Sequence, residues 1–86
     1  MRRLALAAVL LGAAAPPPPG ASNCSGCHGG VAPVPVLAGR PAAETIAAMG
    51  AFRAGTRLAT VMNLIAKGFT PEETKAIAMW WAGVKP

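Results

Sequence analysis

The chain has 86 residues, with eight lysines and arginines against three acids and a formal net charge of +5. That length holds one small domain. The basic excess is mild and aromatics make up only 5% of residues, so no nucleic-acid partner is expected, and docking to an acidic protein face suits the charge better.

At the N-terminus, Met1-Arg2-Arg3 is a positive n-region, and Leu4 to Ala15 is an apolar run too short to span a bilayer comfortably. It ends in the small residues Gly12-Ala13-Ala14-Ala15, so the pattern predicts a secretory signal peptide, a periplasmic destination and no permanent membrane span. A retained membrane anchor is the alternative. Pro16 would obstruct a cut directly after Ala15, which leaves cleavage after Ala14 or later, near Ala21. The twin arginines lack the rest of a twin-arginine pattern, so ordinary secretion is the default. Pro16 to Gly20 reads as a stiff polyproline-like stub or a disordered spacer, the second being the more common outcome. Residues 1–21 are thus assigned to leader and stub, and residues 22–86 to a single domain.

Next comes Cys24-Ser25-Gly26-Cys27-His28, which contains every cysteine and the only histidine of the chain. This is the attachment signature of a c-type haem. Two thiols at that spacing can each add to one vinyl group of a porphyrin, and the next residue then lies under the iron as its proximal imidazole ligand. A zinc site would lack a credible fourth ligand. A thioredoxin-like pair belongs to an α/β fold, and no alternating strand pattern is present. A disulfide across two intervening residues would close almost no loop and stabilise little. One covalently attached haem c is therefore expected, with Cys24 and Cys27 as attachment points and His28 as proximal iron ligand. Without Arg2 and Arg3, six bases face three glutamates, giving +3 before haem propionates are counted.

A Gly/Pro-rich loop runs from Gly29 to Gly39, and three helical stretches follow. The first, about Pro41 to Ala54, starts with a proline and stops before Gly55; Ile46, Met49, Gly50 and Arg53 share one face. The second runs from about Leu58 to Lys67, with Leu58, Val61, Met62 and Ile65 as its apolar stripe. The third opens on Thr70-Pro71-Glu72-Glu73, a capping box with proline in the first turn, and reaches about Ala82; Ile77, Trp80, Trp81 and Val84 fall on one side. Nothing reads as strand, so the fold class is all-α. A core from so few residues is marginal. A buried porphyrin would supply the missing apolar surface, and the apo-form is expected not to fold stably.

A low-spin electron-transfer haem has a second axial ligand. With no second histidine, the candidates are Met49, Met62 and Met79. Met79 lies opposite Ile77 and should face away from the core. Met49 and Met62 both sit on apolar faces, where methionine is often simple core filler. Met62 has the longer chain available to wrap round the haem, and small neighbours at Ala59 and Ala66 would let the backbone approach the porphyrin. An open sixth position is the other alternative.

With these residues in place, the pattern resembles a class I cytochrome c, and more narrowly the haem-bearing subunit of flavocytochrome c sulfide dehydrogenase. The resemblance covers nearly all of the segment after the leader. It rests on Cys24 to Gly29, on Pro35-Val36-Leu37-Ala38-Gly39, on Ala51 to Arg57, and above all on Ala59-Thr60-Val61-Met62-Asn63-Leu64-Ile65-Ala66-Lys67-Gly68-Phe69 followed by Trp80-Trp81. It implies a small fold of about three helices wrapped around one haem, with Met62 as distal iron ligand. There are departures. The loop after His28 is shorter than in the family. The proline carbonyl that orients the proximal imidazole could come from Pro33 or Pro35. The helix before the haem motif is truncated or missing, so Trp80 and Trp81, on which it would pack, should cover the haem, meet a partner, or serve as ordinary core aromatics.

What the resemblance implies for function is periplasmic electron transfer, with the haem accepting electrons singly from a sulfide-oxidising flavoprotein. The chain would be a non-catalytic subunit of that oxidoreductase. The alternatives are a free monohaem shuttle to an oxidase or other reductase, and a haem-based sensor or ligand-binding module. No nucleophile or acid–base pair accompanies the haem motif, so independent catalysis is not expected. Arg53, Arg57 and Lys67 surround the Met62 segment and could ring an exposed haem edge; Arg40 or Arg57 could pair a propionate.

Overall fold

Prolines and glycines set the limits of the longer helices. The computed structural model describes residues 15–30 and 33–86, so residues 1–14 of the leader and stub expected over 1–21 lie outside the described residues. A 3-10 turn, Ser22–Cys24, runs into the single turn α1 (Ser25–His28), followed by α2 (Ala42–Ala54), α3 (Met62–Lys67) and α4 (Pro71–Ala82). Among the described residues there is no strand, and no helix is long and apolar enough to cross a membrane.

Helix α2 follows Pro41, whose extended ψ of 133° places it just outside the helix. At the far end, Thr56 N–H donates to the Ala51 carbonyl at 3.0 Å and Gly55 N–H to that of Phe52 at 3.2 Å. This is a Schellman closure, and it needs the left-handed φ of +79° that Gly55 supplies. Helix α4 carries the expected capping box. Glu73 N–H donates to Thr70 Oγ1 at 3.1 Å, and Thr70 N–H donates to Glu73 Oε1 at 2.8 Å, with Pro71 in the first turn.

Helix α3 departs from the expected Leu58–Lys67 span, beginning only at Met62. The cause is Asn63. Its Oδ1 accepts from Ala59 N–H at 2.8 Å, and its Nδ2 donates to the carbonyls of Phe52 (3.0 Å) and Arg57 (2.8 Å). A side-chain amide that occupies these backbone groups holds residues 57–61 as a loop rather than a helical turn.

Helix α2 packs against both α3 and α4, and the Arg53 guanidinium on α2 donates to the Phe69 carbonyl between α3 and α4 at 2.6 Å. The buried core is small. Among the described residues, Ile77 and Trp81 are its only large side chains, beside Ala21, Ala66 and Ala78. Leu37, Phe69, Trp80 and Val84 pack on its margin.

The chain's own N-terminal segment lies against the tryptophans. Trp81 Nε1 donates to the Ala21 carbonyl at 3.1 Å and Trp80 Nε1 to that of Ala15 at 2.9 Å. The two indoles stack edge-to-face at 5.0 Å. The proline-rich stub is thus tied down at both ends rather than being a loose spacer. Gly20 closes it, with φ +90° and the Phe69 ring 2.6 Å from where a Cβ would stand.

Candidate functional site

Around this small core the helices leave a large apolar cavity of about 730 Å³. One wall is Cys24, Cys27 and His28, from the 3-10 turn and α1; another is Thr45, Ala48, Met49 and Phe52 on α2. The loop from Arg57 to Val61 contributes every residue in succession, continuing through Met62 and Ile65 of α3. Phe69, Thr74 and Ile77 complete it. Leu58, Val61 and Ile65 are exposed by 88%, 53% and 39%. Side chains of that kind facing one cavity mark a surface shaped for a large apolar ligand.

Cys24 and Cys27 are free thiols. Cys24 is half-buried beside the Ala21–Trp81 core, and burial pushes its thiol pKa up; Cys27 is exposed. His28 Nδ1 lies 2.7 Å from the Pro35 carbonyl oxygen. A carbonyl can only accept, so Nδ1 carries the hydrogen and the Nε2 lone pair is left for a metal. That distance selects Pro35 over Pro33 as the residue orienting the imidazole. Among the described residues, no three of His, Cys, Asp and Glu gather as direct ligands to an ion. Both cysteines and His28 line the cavity.

Met62 and Met49 both line the cavity. Met49 also faces a second, smaller cleft of about 130 Å³ shared by Ile46, Gly50, Arg53, Pro71 and Thr74, where α2 meets α4. Met79 is 57% exposed and points away from the cavity, as its place on the helix predicts. Of the small residues expected to admit a close approach, Ala59 lines the cavity, whereas Ala66 is buried in the protein interior.

The basic residues divide. Arg40 and Arg57 line the cavity. Arg57 stacks over the Phe52 ring at 4.8 Å, and Arg40 makes a 3.5 Å pair with Glu44 that, being exposed, stabilises little. Arg53 turns instead to the Phe69 carbonyl and is a bracing residue.

Two polar residues of the site carry no signal in the sequence. Asn63 holds the 57–61 wall. Thr45 is 7% exposed, lines the cavity, and its Oγ1 has no hydrogen-bond partner among the described residues. A buried hydroxyl left unpaired is costly, so it fits a site with polar atoms of its own to offer. Comparison with protein-family models, curated proteins and solved structures returned no match to this chain.

Proposed function

We propose that the protein is a periplasmic electron carrier of the class I cytochrome c type. It would hold one haem c through thioethers to Cys24 and Cys27, with His28 and Met62 as axial ligands. The observation that carries this reading is convergence: both cysteines, the histidine and the methionine line one apolar cavity. Its volume falls within the roughly 300–1,000 Å³ of cofactor and ligand sites.

When bound, haem supplies a one-electron ferric–ferrous couple. The chain's residues hold and tune it. The Pro35 carbonyl orients the His28 ring and fixes its tautomer. A Met62 thioether favours a higher reduction potential than a second imidazole would. Leu37, Phe52, Val61 and Ile65 exclude water from the cavity, while Arg40 and Arg57 offer cations to carboxylates at its wall. Within the class, the segment Ala59 to Phe69 and the pair Trp80-Trp81 support assignment as the haem subunit that accepts electrons singly from a sulfide-oxidising flavoprotein.

The test is expression with a haem-attachment system, followed by intact mass and a pyridine haemochrome spectrum of periplasmic material. One porphyrin joined by two thioethers is expected; a bare polypeptide overturns the reading. Met62→Ala should then give a high-spin ferrous form that binds carbon monoxide. An unchanged ferric spectrum would move the distal ligand to Met49, which shares the cavity. Co-purification with a flavoprotein tests the partner, and exchange with an oxidase by the lone monomer would favour a free shuttle.

A further inference from the structure

We infer that the leader is removed at the Ala14–Ala15 bond, so that Ala15 to Ala21 remain on the finished protein as a strap sewn to its last helix. This rests on the reading that the protein is exported. The step is a hydrolysis: the Ala14–Ala15 peptide bond breaks, and water supplies the hydroxyl of the Ala14 carboxyl group and a proton to the new Ala15 amine.

Two independent observations select this bond. The first is what a later cut would remove. Ala21 is fully buried in the core, and its carbonyl is the acceptor for the buried Trp81 Nε1. Its N–H donates to the Pro18 carbonyl at 3.1 Å, and the Gly20 carbonyl accepts from Asn23 N–H at 3.3 Å. The Ala15 carbonyl accepts from Trp80. Cleavage near Ala21 would orphan the Trp81 donor and strip a wall from a core that, among the described residues, has only two large side chains. Residues 15–21 therefore belong to the fold.

The second is what the peptidase needs, small residues one and three positions before the cut. Gly12 and Ala14 satisfy this for the Ala14–Ala15 bond. Ala13 and Ala15 satisfy it one residue later, but there Pro16 follows the bond. Each bond from Ala15 through Pro18 likewise precedes a proline, and a cut after Gly20 or Ala21 would put Pro18 or Pro19 at the third position. Peptidase preference and fold retention agree on one bond.

The experiment is N-terminal sequencing and intact mass of periplasmic material from the full chain. A start at Ala15 is expected. A start at Ser22 or within 16–21 overturns the inference while leaving export intact. A start at Met1 in the cytoplasm or membrane overturns the inference together with the export reading. A second measurement compares chains beginning at Ala15 and at Ser22, each behind the same foreign leader. The Ser22 form should unfold at least about 5 °C lower; equal midpoints would show that the strap contributes nothing and overturn the inference.

Discussion

Asn63 stands next to the proposed distal ligand and commits its whole amide to the loop that leads there. Three backbone groups, from Phe52, Arg57 and Ala59, depend on it. Asn63→Ala should cost about 1 kcal/mol of stability, since most of these groups can reach water once released. The larger effect is positional. With residues 57–61 released, Met62 should ligate poorly, and the ferric thioether–iron absorption band should weaken while haem attachment stays complete. Asn63→Asp keeps the acceptor for Ala59 but loses both donors, so its spectrum should fall between the two. Nothing in the periodicity marks this residue's role: an asparagine one place after a methionine in an apolar periodic run looks like a solvated helix position. The motif residues were legible because Cys-x-x-Cys-His is contained in five consecutive positions. Thr45 was not, since its burial depends on how α2 turns in three dimensions.

Among the elements, α2 and α4 end where their prolines, glycines and cap residues indicate, because those signals act within a few residues. The start of α3 was illegible because its cause is a side chain reaching back to Phe52, eleven residues earlier. The strap was illegible for a similar reason, as its partners are indoles at the other end of the chain. Gly20 is the residue that lets it close. Gly20→Ala should destabilise the protein by about 1–2 kcal/mol from the left-handed backbone alone, and should push the Phe69 ring toward the cavity. Gly50 is the contrast, lying within α2 with open space for 4 Å around the position a Cβ would take. Gly50→Ala should therefore stabilise by about 0.5–1 kcal/mol. Thermal unfolding of the two variants should shift in opposite directions.

At the scale of the whole molecule, a cavity of about 730 Å³ beside a core whose large members are Ile77 and Trp81 is an incomplete interior. Small domains typically keep about 5–15 kcal/mol in hand, and this chain has little apolar burial from which to draw it. The unloaded protein is therefore expected to show helical far-ultraviolet dichroism without a sharp thermal transition or a fixed near-ultraviolet signal. The loaded protein should melt cooperatively. A cooperative transition in protein free of haem would show that the helices and strap suffice without the cofactor.

The bonds from the tryptophans to Ala15 and Ala21 bridge 65 and 60 residues. A polypeptide threaded across a membrane with its amino end leading delivers these acceptors 60 residues or more ahead of the indoles. On the proposed export, that seam could not be stitched until residues 80 and 81 had crossed. If the proposed export and attachment hold, Cys24, whose sulfur lies in the same seam, would stay open to an attaching enzyme until the indoles arrive, so the order of emergence itself would reserve time for loading before the door shuts.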